Sequence, residues 1–325
     1  MNEQHNTPTQ KSVIIKFIVI AVAVAIMWVL YSVYISKTIT WNDVYDVFRI
    51  KQDVAANDEP TEEGTALATD GVRVSFVDVG QGDSIVIEAG ESVVVIDTGD
   101  YAAEQSLKSF LEKEGIDEID YLIATHPHSD HIGNMEALIE NYRVDKVVFP
   151  YITDDLTPTN STYVYLLKTI DKNNIPLTIP AVGEKIVLDK GEITVLYNGG
   201  GSDINNSSLV LMYVYGESSF LLMGDAEFEV EDKLCDEYGR ELSCDVLKAG
   251  HHGTKYATGN NILSAASADY VVIMCGIDNE YGYPKEAVLK RIASEGAAVL
   301  RTDLDGDISF LCDEQSFELS TKREG

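Results

Sequence analysis

Thr125-His126-Pro127-His128-Ser129-Asp130-His131-Ile132-Gly133 sets three histidines and an aspartate within six residues. The apolar segment Tyr121–Thr125 runs straight into it. This order predicts a strand, an exit loop carrying the four side chains, and a helix starting near Gly133. Ligands of α/β proteins gather at such strand ends. His126 and His128 are two apart, so in extended backbone both point to one side. Imidazole and carboxylate donors together suit zinc, manganese or iron. Four donors in so short a run crowd a single ion, and two adjacent ions divide them more easily. A chance cluster on a solvated loop is the bland alternative, but the whole chain has only six histidines.

Two more of those six lie in Lys248-Ala249-Gly250-His251-His252-Gly253-Thr254, after the apolar segment Asp245–Leu247. The flanking glycines permit close backbone approach to a ligand. Alone, the pair reads as a structural turn; beside the first cluster it is a candidate for a further metal ligand, with His251 and His252 both open. Two aspartates stand in similar positions. Asp225 ends Ser219-Phe220-Leu221-Leu222-Met223-Gly224-Asp225, and Asp97 ends Val93-Val94-Val95-Ile96-Asp97. Either could serve as a turn or helix cap. A carboxylate delivered to the same surface, with its two oxygens, would also bridge two ions.

Around these motifs the chain alternates between short β-branched runs and helical patterns. Val72–Val79, Ser84–Glu88 and Val93–Asp97 read as a strand meander with glycine-containing turns. Helices are expected over Glu104–Glu114, Glu227–Tyr238 and Pro284–Ser294. Further strands are expected over Ile193–Tyr197, Leu209–Tyr215, Phe220–Met223, Tyr270–Met274, Ala298–Arg301 and Asp307–Cys312. Strand clusters in both halves, each followed by helices, predict a layered α/β sandwich.

The N-terminal part differs. Phe17 to Ile35 is apolar apart from Ser32, and nineteen helical residues span roughly 28 Å, close to a bilayer's hydrocarbon core. No small-x-small cleavage pattern follows it, which favours an uncleaved anchor over a signal peptide. The expected organisation is a short cytoplasmic tail (1–11), a transmembrane helix (12–36), an acidic stalk (37–70) and the main domain (71–325) on the outer side of the cell membrane. With 24 Lys and Arg against 54 Asp and Glu, the net charge is −30. Such a field repels phosphate backbones and argues against a long nucleic-acid track. Four cysteines form no CxxC pair. They are either free buried thiols or, in an oxidising compartment, bridged as Cys235–Cys244 or Cys275–Cys312.

Taken together, strand-Asp97-Thr98-Gly99, the His-x-His-x-Asp-His run, strand-Gly224-Asp225 and a late histidine resemble the metallo-β-lactamase superfamily. More narrowly, Phe76-Val77-Asp78-Val79-Gly80-Gln81-Gly82-Asp83-Ser84 is similar to the hydrolase domain of ComEC-like competence proteins. So are Asn205-Asn206-Ser207-Ser208-Leu209-Val210, the Gly-His-His-Gly segment and Asn279-Glu280-Tyr281-Gly282-Tyr283-Pro284 with Arg301-Thr302-Asp303. The resemblance implies a four-layer αβ/βα sandwich binding two divalent ions, Zn²⁺ or Mn²⁺. His126 and His128 would hold the first ion, Asp130 and His131 the second, and Asp225 would bridge them. His251 or His252 would complete the second ion's shell, and Asp130 and His252 are the candidate catalytic residues. Asp97, Asn205, Asn206 and Tyr283 would support the site.

Two departures accompany it. No histidine lies between His131 and Asp225, where many superfamily members have one, and Tyr283 stands where ComEC-like sequences carry histidine. The implied activity is hydrolysis of a phosphodiester, DNA included, by a dinuclear-metal-activated hydroxide. Amide or ester hydrolysis, phosphorylcholine-ester hydrolysis and a non-catalytic anchored binding module are the other readings. No stable protein partner is expected.

Overall fold

Residues 71–322 are described by the structure, a computed structural model. In the first half, strands β1 (Val72–Phe76), β2 (Ile85–Ala89) and β3 (Ser92–Ile96) form the expected antiparallel meander. Strands β4 (Glu118–Ile123), β5 (Arg143–Val148) and β6 (Leu177–Thr178) then add parallel to β3. The second half repeats this grammar. Strands β7 (Lys185–Val187), β8 (Glu192–Tyr197), β9 (Val210–Tyr215) and β10 (Ser218–Leu222) are antiparallel. Strands β11 (Val246–Lys248), β12 (Tyr270–Ile273) and β13 (Ala298–Arg301) follow in parallel. The last two strands, β14 (Ile308–Cys312) and β15 (Phe317–Thr321), return to the first sheet beside β1. The sheet orders are β15-β14-β1-β2-β3-β4-β5-β6 and β13-β12-β11-β10-β9-β8-β7.

Period-two alternation assigns the faces. In β2, Ile85 and Ile87 enter a core shared by both sheets, while Val86 joins a second core against helices; in β3, Val94 and Ile96 take the first side and Val95 the second. Opposite them in the shared core lie Val195, Leu211, Tyr213, Phe220, Leu222, Val246 and Val272 of the other sheet. The outer face of the first sheet is covered by α1 (Glu104–Glu114), α3 (Met135–Asn141) and α4 (Ser161–Lys172), through Leu107, Leu111, Met135, Leu138, Leu166 and Ile170. Between α1 and α3 lies the single turn α2 (Ser129–Ile132). Helices α5 (Phe228–Tyr238), α6 (Asn260–Ala266) and α7 (Glu286–Glu295) pack side by side and reach β8 and β13. The result is the four-layer αβ/βα sandwich.

Several elements differ from the sequence reading. The first strand ends at Phe76 because the chain then turns through Gly80 and Gly82 at positive φ. Helix α4 and strands β5, β6, β7 and β15 were not legible. Asn160 starts α4 by accepting the Tyr163 amide at 2.9 Å, but its tyrosines, threonines and valine are mediocre helix formers. All four cysteines are free thiols, three buried and Cys235 half-buried, so neither anticipated bridge is formed. The expected tail, anchor and stalk (1–11, 12–36, 37–70) lie outside the described residues. Among those described, no helix is long and apolar enough to cross a membrane.

Phe310 joins the two sheets at the centre of the shared core. Its ring lies 6.1 Å edge-on from Phe76 of its own sheet, and 5.6 Å from Phe220 and 5.8 Å from Tyr270 of the other. Phe310→Ala is expected to lower unfolding free energy by about 3–5 kcal/mol, read as a lower urea midpoint.

Candidate metal centre

The chemistry-bearing side chains sit where each sheet changes from antiparallel to parallel. Asp97 follows β3 and Thr125–His131 follow β4 in the first sheet; Asp225 follows β10, and His251 and His252 follow β11 in the second. The two sheets thus present corresponding strand ends to one point. Backbone strain marks it. Asp97, His251 and His252 adopt φ of 59°, 45° and 53°, a region that costs a non-glycine residue about 1–3 kcal/mol and persists only where the surroundings enforce it.

Glycines let the loops approach behind the cluster. A Cβ on Gly82 would stand 2.2 Å from the Asp130 carbonyl, and one on Gly133 would stand 2.6 Å from the Gly99 carbonyl. The Thr98 amide donates to the His131 carbonyl at 2.6 Å and the Gly133 amide to the Gly99 carbonyl at 3.0 Å. The loop bearing Asp130 and His131 is therefore fixed by direct backbone contact.

His131, His251 and His252 are oriented from behind. Asp97 accepts the Thr125 amide at 2.8 Å on Oδ1, and its Oδ2 lies 2.7 Å from His131 Nδ1. His252 Nδ1 is 3.0 Å from the Met274 carbonyl. His251 Nδ1 is 2.8 Å from Glu227 Oε1. All three rings therefore turn Nε2 toward Asp225, whose Oδ2 lies 3.4 Å from His131 Nε2, 3.5 Å from His252 Nε2 and 3.7 Å from His251 Nε2. His126 Nε2 is 3.7 Å from the same oxygen and 3.0 Å from His128 Nδ1.

Donors fall into two groups sharing Asp225. One is His126, His128 and Asp225; the other contains His131, His252 and Asp225 with either Asp83 or Asp130. The ring nitrogens decide between these two acids. Asp83 lies on the Nδ1 side, 3.2 Å from His252 Nδ1 and 4.0 Å from His131 Nδ1, where Met274 and Asp97 already take the rings. Asp130 Oδ2 lies on the Nε2 side, 3.2 Å from His252 and 3.9 Å from His131. Asp130 thus faces the converging donors, and Asp83 stands behind them.

Burial and neighbouring charges shift the cluster's titrating groups in opposite directions. Burial holds His126 and His128 below their usual range, as neutral imidazoles. Burial works against charge on His252 too, but Asp225 and Asp83 outweigh it and lift it to about 9. Burial also opposes the charge on Asp225, yet His252 and His131 hold that carboxyl well below its usual value. A desolvated anionic centre of this kind requires compensating positive charge, which divalent ions supply. His131 Nε2, His252 Nε2 and Asp225 Oδ1 are buried without hydrogen-bond partners. Unsatisfied buried polar atoms are rare enough to require an explanation. A buried Asp/His cluster of this composition fits a dinuclear metal site.

The other sequence candidates take more distant positions. Asn206 accepts the Glu227 amide at 3.0 Å and donates to Asp203 at 3.0 Å, and Ser208 Oγ accepts the Asp225 amide at 3.1 Å. They hold the loop that carries Asp225. Asn205 Oδ1 is buried without a hydrogen-bond partner. The Tyr283 ring lies 5.9 Å edge-on from His251 and stacks on Tyr281 at 5.4 Å, forming an outer wall.

Sequence reasoning passed over three residues. Asp83 lies within a quoted motif but carries no signal of its own there. Lys248 is fully buried, its Nζ 2.5 Å from Asp83 Oδ2 and donating to the Gly224 carbonyl at 3.1 Å. A lone lysine inside the apolar run Val246–Ala249 was the available signal, since a buried cation requires an anion. Glu227, two residues beyond Asp225, was hidden in a helix start.

The pattern of the metallo-beta-lactamase superfamily matches residues 77–277. Among curated proteins, the chain is 30% identical over 266 residues to ComE operon protein 3 of Bacillus subtilis (strain 168), covering 75% of this chain and 33% of that protein. It is 28% identical over 254 residues to competence protein ComA of Neisseria gonorrhoeae, covering 75% and 33%. The chain thus spans about a third of the length of these relatives. Among solved structures, the diiron beta-hydroxylase CmlA of Streptomyces venezuelae aligns with a TM-score of 0.50 at 16% identity, covering 77% of this chain and 55% of that one. The metallo-beta-lactamase fold protein YhfI of Bacillus subtilis aligns with a TM-score of 0.50 at 12% identity, covering 78% and 100%. At such identities these two likenesses show the fold alone.

Burial alone would raise the Asp83 carboxyl, but Lys248 holds it below its ordinary value of 3.8. The pair's contribution to stability is therefore present above the unfolded value of 3.8 and is lost as pH falls through the lowered folded value. Lys248→Met leaves Asp83 buried without its cation and is expected to cost about 3–5 kcal/mol in chemical denaturation at neutral pH. The double variant Lys248→Met/Asp83→Asn is expected to recover part of that loss.

Proposed function

The chain belongs to the metallo-β-lactamase superfamily, in its ComEC-like branch, and from that premise we propose that it is a divalent-metal-dependent hydrolase acting on phosphodiesters. The observation that carries this reading is the convergence of two donor groups on one buried carboxylate, with facing nitrogens left unpartnered. His126, His128 and Asp225 would hold one ion; Asp130, His131, His252 and Asp225 would hold the other. When bound, such a pair lowers the pKa of water and stabilises charge on both attacking and leaving oxygens, which suits a phosphodiester.

The chain's own residues supply the order around that chemistry. Asp97 and the Met274 carbonyl fix which nitrogen His131 and His252 present. Such outer partners set ring orientation and basicity of metal ligands. Asp130 keeps 27% of its side chain exposed while Asp225 keeps 2%. Asp130 is therefore the more accessible carboxylate of the two, placed to accept a hydrogen bond from an incoming water and orient it. The −30 charge favours a short or small substrate over a long nucleic-acid track. The likeness to competence proteins supports DNA as one such substrate. The stacked Tyr281–Tyr283 pair at the rim supports a second reading, a choline phosphodiester, because aromatic faces attract quaternary ammonium. Anchoring at the cell membrane through 12–36, with the domain outside, completes the proposal.

With Mn²⁺ or Zn²⁺ the chain is expected to hydrolyse bis-p-nitrophenyl phosphate, and His128→Ala is expected to lower the rate at least about 100-fold, on the scale of a lost ligand or its support. p-Nitrophenyl phosphorylcholine in the same assay separates the two substrate readings. Two bound ions with no turnover of either ester would contradict the phosphodiester assignment.

A further inference from the structure

His251 and His252 are adjacent in sequence but differently placed. His252 is 1% exposed at the side chain and contributes to a group already holding four donors, with Asp130, His131 and Asp225. The other group, His126, His128 and Asp225, has three. Zinc takes four protein ligands in a closed site and three plus water in a catalytic one, so with Asp225 shared between both ions the first group is the more weakly held of the two. His251, with 20% of its side chain exposed, places Nε2 3.7 Å from Asp225 Oδ2, the same separation as His126 Nε2.

Its other nitrogen is already taken. Glu227 Oε1, 2.8 Å from Nδ1, fixes the ring as carboxylates do behind metal-bound histidines. Two consecutive non-glycine residues at positive φ turn the neighbouring rings to 75° from one another, with centroids 5.8 Å apart. An ordinary extended or helical backbone would not deliver adjacent side chains to two points flanking one carboxylate.

We propose that the tandem histidines serve different ions: His252 the inner one, and His251, oriented by Glu227, the His126–His128 ion, filling the place left by the absence of any histidine between His131 and Asp225. This rests on the dinuclear reading above. It makes Glu227 a positioning residue and explains why the first ion needs no imidazole from the segment 132–224.

The test counts ions rather than turnover. The purified full chain is equilibrated with Zn²⁺, dialysed, and assayed for metal per chain by mass spectrometry, with chelator competition for affinity. Wild type is expected to hold two ions, and His251→Ala one. His126→Ala/His251→Ala is expected still to hold one, because both changes strike the same ion, whereas His251→Ala/His252→Ala is expected to hold none. Glu227→Gln keeps the imidazole and is expected to weaken one ion about 10–100-fold, which separates loss of a ligand from loss of fold; melting curves accompany each variant. Two ions of unaltered affinity in His251→Ala would overturn the assignment, as would an empty His126→Ala/His251→Ala. An empty wild type would instead remove the dinuclear reading on which it rests.

Discussion

Asp225 is a carboxylate with 2% of its side chain exposed, surrounded by four imidazoles with nitrogens 3.4–3.7 Å from one of its oxygens. A buried charge is tolerable only when paired and hydrogen-bonded. Much of the surrounding architecture answers that requirement. Ser208 fixes the Asp225 amide, Asn206 fixes the Glu227 amide, and Asp97, Glu227 and the Met274 carbonyl hold the rings. Behind them Lys248 neutralises Asp83, so a second buried carboxylate can sit beside the cluster without demanding a metal of its own.

The fold makes this convergence possible by using one plan twice. In each half an antiparallel run gives way to parallel strands, and the side chains emerge where the change occurs. The shared core contains Val94 and Ile96 of β3 together with Phe220 and Leu222 of β10, and His131 joins the ends of these strands, lying 2.7 Å from Asp97 and 3.4 Å from Asp225. Glycines at 82 and 133 then let backbone press on backbone, a closeness that any side chain would prevent.

Much of this was legible because it is local. The spacing of His126, His128, Asp130 and His131 is a property of a six-residue stretch, and Asp97 and Asp225 are marked as polar ends of apolar strands. The bounds of Glu104–Glu114 coincide with α1 because its apolar residues keep helical spacing and Gly115 closes it at φ 73°. What escaped depends on tertiary contact. Leu177–Thr178 is a strand only because β5 offers it a partner. That Asp130 rather than Asp83 faces the donors follows from which ring nitrogens Asp97 and Met274 occupy, residues more than twenty positions away from His131 and His252 in the chain. The division of the tandem histidines likewise depends on Glu227, 24 residues before His251.

Everything above turns on the Asp225 cluster being a two-ion centre. Anomalous diffraction from crystals of the chain grown with Mn²⁺ tests it most directly. A two-ion centre gives two peaks flanking Asp225 about 3.5–4 Å apart, one against His126 and His128 and the other against Asp130, His131 and His252. A single peak, or density on the Asp83 side of His131 and His252, would contradict it.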